Sequence, residues 1–239
     1  AWQQAGNPFN LQIIKEPKAG LNFARVAGIK AAGNDYVILC DDDNWLCEDY
    51  ALKVFSHFET MPEVAIVGGV GEAVSEIDLP GWFHAVEGFG YAVGTEGRQT
   101  GIVESVYGAG MAIRKSTFES VINQQSFSLT DRTEKSLASG GDTEICLLIK
   151  QAGFKIYLDE TLHFKHFLNK ERLTWPYYLE LRRSFGKATA VLQKKEYYHK
   201  PPVKVKGQLS VLKFGLQNWQ YLVAPVFYKD KACADFTQE

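Results

Sequence analysis

Residues 36–43 read YVILCDDD, and no other stretch of this chain constrains the fold as tightly. An apolar run with β-branched and aromatic bias, preceded by Gly33-Asn34-Asp35, predicts a short buried strand. Three carboxylates then arrive together at its carboxyl end, the edge where open α/β sheets bind ligands. Neighbouring carboxylates repel one another, so a compact cluster needs a cation or deep water. Hard divalent ions take oxygen ligands, and a phosphate-bearing substrate can complete their shell. In a strand-end turn Asp41 and Asp43 can point the same way and share one ion. The competing reading is an acidic surface turn with no ligand, since surface acids are common. An EF-hand is excluded: counted from Asp41, its fifth and sixth positions hold Trp45 and Leu46 instead of an oxygen ligand and glycine.

With 239 residues the chain is long enough to bury a substantial core. A net charge of −2 gives no global footprint for nucleic acid, and none is expected as a partner. Cys40, Cys47, Cys146 and Cys233 form neither a CxxC pair nor a zinc spacing, which fits reduced thiols in a cytosol. Neither a signal-peptide pattern nor an apolar run long enough to span a bilayer is visible in these residues. The sequence opens on AWQQAGNPFN without an initiator Met, the start expected of a piece of a longer protein.

Periodicity orders the first half. Residues 11–15 (LQIIK) predict a strand. Residues 20–32 predict a helix with Phe23, Ala27 and Ile29 inward, and residues 48–59 a second helix on which Leu52, Phe55 and Phe58, with Ala51 and Val54, keep helical spacing. Residues 64–67 predict another buried strand. This is β-α-β-α-β, the grammar of a parallel sheet with helices on its faces. Residues 71–101, rich in glycine and aromatics, predict an irregular excursion or a hairpin over the sheet edge. Residues 103–106 predict a strand leading into the small-residue turn Tyr107-Gly108-Ala109-Gly110. Ser116-Thr117-Phe118-Glu119 has capping-box spacing. Residues 127–140 predict a mobile loop. Gly141-Asp142-Thr143-Glu144 opens a helix that Gly153 ends, with Asp142 either an N-cap or a functional acid. A strand at 154–158, then His163 and His166, then a Thr174-capped helix to about Lys195 complete the order.

Three motifs carry a resemblance. GLNFARVAGIKAAGNDYVILCDDDN, YGAGMAIRKSTF, and LTDRTEKSLASGGDTEICL followed by LDETLHFKHFLNKERLTW stand in the order and spacing of a family-2 glycosyltransferase with the GT-A fold. In that comparison Asp41-x-Asp43 is the DxD, Gly141-Asp142 is the acidic motif, and His166 is the late histidine. Val26 after Arg25 departs from the family's usual Asn, and Gly141 replaces its usual Glu. The resemblance implies an α/β GT-A fold lacking its first β-α-β portion, with a partial transferase domain over residues 1–173 and a helical extension over 174–239. Without that opening portion the chain as it stands is expected to be inactive, with an open sheet edge at 11–15 that favours a homodimer.

It also implies chemistry. The donor is a nucleotide-diphosphate sugar and the acceptor a glycan or lipid-linked glycan. Mn²⁺ or Mg²⁺ on Asp43 and Asp41 neutralises the diphosphate, with His166 a further metal or phosphate contact or else a structural histidine. Asp142 is the candidate base, in one inverting displacement. Asp42, Arg25 and Arg132 are candidate donor contacts, the last from the loop expected to close over the diphosphate. The alternative is a non-catalytic module that binds metal and sugar nucleotide through the same acids.

GxxxxGK[ST], HExxH and GxSxG are all absent from the sequence. Eight Lys and Arg residues between Arg182 and Lys206 face a single Glu196, a net seven positive charges. An aromatic, aliphatic stretch (LSVLKFGLQNWQYLVAPVF) follows. That pairing resembles an interfacial anchor at the cytoplasmic face of a membrane, with plain packing on the core as the alternative.

Overall fold

A computed structural model describes residues 11–86, 88–95, 97–123, 127–129, 131–132 and 137–195. All of these belong to one compact unit. The tail from 196 onward, with Lys200, Lys204 and Lys206 of the basic stretch and all of the aromatic one, lies outside the described residues.

Helix α1 (Leu21–Ala31) leads to strand β1 (Tyr36–Ile38) and the acidic turn, and β2 (Asn44–Leu46) and α2 (Tyr50–Thr60) follow. The long β3 (Val64–Ser75) precedes α3 (Gly81–Ala85), β4 (Gly101–Val103), β5 (Ala112–Arg114) and α4 (Lys115–Ile122). Helix α5 (Gly141–Gln151), the long β6 (Lys155–Leu168) and α6 (Trp175–Lys194) complete the unit. The sheet order is β1-β5-β3-β6-β2, with β4 also paired to β6. Only β3 and β6 run parallel; the other pairings are antiparallel. The expected all-parallel sheet is thereby corrected to a mixed one. Helices do lie on its faces, but β5 runs antiparallel to both β1 and β3.

The core forms on either side of this sheet. Ile66, Ile113 and Ile156 pack with Ile29 of α1, Phe118 of α4 and Ile145 and Leu148 of α5. Val67, Ala112 and Phe164 pack with Tyr50, Val54 and Phe58 of α2. Ile66 and Val67 thus serve opposite faces, as successive strand residues must. A third cluster joins Phe83, Tyr91, Leu168 and Leu173 to Tyr178 and Leu181 on α6. Thr174 caps α6 as expected, its Oγ1 accepting the Tyr177 N–H at 3.4 Å.

Several local expectations are corrected. Residues 11–15 are exposed and without regular structure, so they form no sheet edge. Strand β1 is shorter than its apolar run and only half-buried, because it lies at the end of the strand order. On α1, Asn22 and Ile29 are the buried residues, with Phe23 and Ala27 half-covered. On α2 the buried stripe is Tyr50, Val54 and Phe58, while Leu52 and Phe55 are 70% and 52% exposed. Two stripes of α2 obey the helical period, and the one that meets the sheet contains the Tyr50 hydroxyl, which donates to the Gly110 carbonyl at 2.7 Å. Helix α4 starts at Lys115 with no side-chain cap, so the Ser116 capping box does not form. Strands β3 and β6 both run far past their expected ends, and His163 and His166 lie within β6 rather than after it.

The extension of β3 passes through Gly68, Gly69 and Gly71. A Cβ on Gly69 would lie 2.0 Å from the Leu162 carbonyl oxygen, and one on Gly71 1.8 Å from that of Ala92. Backbone, not side chain, occupies the space, so it cannot yield cheaply. Gly69→Ala should therefore lower stability by about 1–3 kcal/mol or more through overpacking. Gly28→Ala, in open space on α1, should raise it by about 0.5–1 kcal/mol. Urea titrations of both variants check the pair.

Candidate functional site

A cavity of about 940 Å³ opens beside the end of β1. It is lined by Asp41, Asp42 and Asp43, by Asp142 at the start of α5, by His166, and by Arg25 and Arg132. All seven residues singled out in the sequence therefore meet at one hollow. Ligand sites commonly measure about 300–1,000 Å³.

The acidic turn is not uniform. Asp41 and Asp42 are exposed, and the Asp41 carbonyl accepts the Asn44 N–H at 3.1 Å to close the turn. Asp43 is held inward. Its carbonyl accepts the Phe167 N–H at 2.8 Å and its Oδ1 accepts from Asn44 Nδ2 at 2.7 Å. Its Oδ2 lies 3.4 Å from His166 Nε2 and accepts from Arg172 Nη1 at 2.9 Å. The His166 ring and the Arg172 guanidinium beside it hold the Asp43 carboxyl below the usual carboxylate range, against the opposing pull of partial burial.

His166 itself is buried, and its Nδ1 lies 2.5 Å from the Tyr91 carbonyl. That carbonyl can only accept, so Nδ1 carries a hydrogen and the ring turns its Nε2 toward Asp43. An imidazole nitrogen and a carboxylate oxygen converging on one point fit a divalent ion, which binds the nitrogen in its proton-free form. Among the described residues no group of three His, Cys, Asp or Glu could hold a metal. A metal here would complete its shell with water or ligand oxygens, as Mg²⁺ sites in phosphate enzymes do.

Asp142 sits within the first turn of α5, whose N-cap is Gly140 in the left-handed region. Its Oδ2 accepts the Gly108 N–H at 2.9 Å and its Oδ1 the Thr143 N–H at 2.7 Å. Two backbone donors thus aim the carboxylate, and Gly108 makes the approach possible: a Cβ there would lie 2.5 Å from Arg25 Nη2.

Arg25 does not stand free in the cavity. Its Nη1 pairs with Asp131 Oδ2 at 2.7 Å, and both side chains are buried. Burial pushes the Asp131 carboxyl up and the Arg25 guanidinium pulls against it. Asn22 Nδ2 donates to the Leu129 carbonyl at 3.0 Å, and Leu21 N–H to that of Arg132 at 3.0 Å. The start of α1 therefore grips the loop that carries Arg132. Glu144, fully buried on α5, grips the same loop from the other side: its two oxygens accept the Ser128 and Leu129 N–H groups at 2.6 and 2.9 Å.

Four of these groups escaped the sequence reading. Glu144 stood in the quoted GDTE motif and Arg172 in the quoted RLTW segment, but nothing local separates either from a solvated charge. Asp131 and Tyr91 lie in loops with no period to read.

A model described as "Glycosyl transferase family 2" matches residues 1–126, more than half of the chain. The chain belongs to this family of glycosyltransferases. A solved structure titled as GalNAc-T7 with UDP, GalNAc and Mn²⁺ is similar at a TM-score of 0.52 and 13% identity, covering 95% of this chain and 47% of that one. The chain thus spans about half the length of that enzyme. The S. aureus TarS 1–349 complex with UDP-GlcNAc is similar at 0.44 and 13%, covering 70% and 44%. No curated protein sequence matches. The fold is GT-A, with its mixed sheet and C-terminal helix.

Glu144→Gln should replace one of the two acceptors by an amide donor facing an N–H. A buried donor left unpaired costs about 1–3 kcal/mol. Hydrogen exchange at Ser128 and Leu129 should accelerate, with the α2 amides unchanged.

Proposed function

We propose that this chain carries the metal and base residues of an inverting glycosyltransferase, which moves a sugar from a nucleotide-diphosphate donor to a hydroxyl of a glycan or lipid-linked acceptor. The observation that carries this reading is the shared cavity: the Asp43–His166 pair and the backbone-aimed Asp142 open into the same space. In a chain of this family, the first suits a diphosphate with its cation, the second an acceptor hydroxyl.

Asp43 and His166 would hold Mn²⁺ or Mg²⁺, with Asp41 and Asp42 at the rim, and the ion would supply charge neutralisation to the leaving diphosphate. Asp142 takes the proton of the acceptor hydroxyl as its oxygen attacks the anomeric carbon. The bond from that carbon to the diphosphate oxygen breaks, and the configuration inverts. The Gly108 and Thr143 N–H groups keep the carboxylate aimed without the entropy loss of a free side chain. Arg132 is the donor-facing cation, while Arg25 acts through Asp131 to place the loop that carries it. The exposed Arg182, Arg183 and Lys187 on α6 fit an acceptor presented near an anionic surface. Among the described residues, no helix is long and apolar enough to cross a membrane.

Asp142→Asn should cut sugar transfer by about 10²–10⁴-fold, the usual contribution of a positioned base, and leave donor affinity within a few fold. Transfer assays and calorimetry with the nucleotide sugar check both halves. Equal losses of rate and affinity would instead make Asp142 a clamp on the Gly108 turn. Both measurements belong in a longer chain that includes the family's opening β-α-β portion; donor binding without any transfer by that wild-type protein would favour the non-catalytic module.

A further inference from the structure

Asp43 Oδ2 and His166 Nε2 stand 3.4 Å apart on the cavity wall. Arg172 lies against both. Its Nη1 lies 2.9 Å from Asp43 Oδ2 and its Nη2 3.4 Å from His166 Nε2, so one planar fork spans both atoms.

We propose that Arg172 is the built-in counter-ion of this site: its guanidinium holds the Asp43–His166 pair in the ion-free chain and leaves when a divalent cation enters. The inference rests on the reading of that pair as cation ligands. It goes further in making one residue of this chain the competitor that sets cation affinity.

Three observations carry it. First, one Asp43 oxygen accepts from Asn44 at 2.7 Å, while the oxygen nearest His166, where both groups can reach one ion, is the one that Arg172 already holds. A guanidinium and a divalent cation cannot share that oxygen at contact distance without strong repulsion. Second, the Arg172 Nε is buried and has no hydrogen-bond partner, so the side chain is incompletely satisfied where it sits and loses less on leaving than a fully paired arginine. Third, the Arg172 backbone is pinned. Its N–H donates to the Asn169 carbonyl and to Asn169 Oδ1, each at 3.1 Å, and its carbonyl accepts the Tyr91 hydroxyl at 2.8 Å. A change of rotamer alone therefore vacates the site. The Tyr91 carbonyl that orients His166 stays in place throughout.

The test is Mn²⁺ alone, titrated into the full chain and followed by the electron paramagnetic resonance signal of the free ion. Arg172→Met keeps the length of the side chain and removes its charge. It should bind Mn²⁺ about 10–100-fold more tightly than wild type, the factor that corresponds to losing one competing charge-assisted hydrogen bond. The gain must vanish in the R172M/D43N double variant; if it persists, the ion sits elsewhere and the proposal falls. Equal or weaker Mn²⁺ binding by R172M overturns the exchange and leaves Arg172 a fixed structural partner. Binding by neither protein would overturn the cation reading of the site and the exchange with it. Should the melting curve show R172M unfolded, Arg172→Lys carries the test. Its single ammonium reaches one atom of the pair instead of spanning both, so it too should bind Mn²⁺ more tightly, by a smaller factor; unchanged affinity would overturn the exchange.

Discussion

The parallel pairing of β3 with β6 is the constraint on which the rest of this structure depends. It runs from Val64 beside Lys155 to Ser75 beside Leu168, with a shift in register between Gly68 and Val70. Each of the other strands except β1 pairs directly with one member of this pair. The close approach is made with glycine: at Gly69 a methyl group would collide with the Leu162 carbonyl of β6. The far half of β6 then carries Phe164 into the α2 cluster, Leu168 into the aromatic cluster, and His166 between them to the cavity. The site histidine is thereby fixed by a sheet, not a loop, and elements of regular structure hold reacting groups more firmly than loops do.

The sequence revealed this arrangement unevenly, for physical reasons. The helices α1, α2, α5 and α6 all formed close to their expected bounds, α2 and α6 by burying a stripe with helical spacing and α5 between its opening Gly141-Asp142-Thr143-Glu144 and Gly153. Which stripe faces inward was less legible. On α2 the stripe of Leu52 and Phe55 is as apolar as that of Val54 and Phe58, and the choice is made by the sheet. Strand lengths were misread at β3 and β6 because glycine and alternating charge usually mark strand ends, whereas here the glycines permit close passage and the charges of β6 other than Asp159 face solvent. Antiparallel β5 was hidden because it is three residues long and follows a small-residue turn. At the site, the carboxylates and His166 were visible as clustered chemistry. Their partners were not. Tyr91 acts on His166 through its carbonyl, and a backbone atom leaves no trace in the residue type.

The carboxylates around the cavity divide by how their charge is compensated. Glu144 is neutralised by two backbone N–H groups and Asp131 by Arg25, both out of water. Breaking either would strand a buried charge, so these groups hold shape and are poor candidates for chemistry. Asp142 is compensated by backbone donors too, but it stays half-buried on the cavity wall, where a proton can reach it. Asp41 and Asp42 rely on water.

Asp43 alone among these acids is compensated by a long side chain that rises from a turn and leaves one of its own nitrogens unpaired. Backbone amides cannot move away without unfolding a helix or a strand, and the Arg25–Asp131 pair cannot separate without releasing the loop that Glu144 also holds. The Arg172 guanidinium can depart with its backbone unchanged. Of the charge contacts at the cavity, this one costs least to exchange, and it lies on the carboxylate that faces an imidazole nitrogen. A fixed frame with one exchangeable counter-charge is what a site needs if it is to remain folded while empty and still admit a cation from solvent.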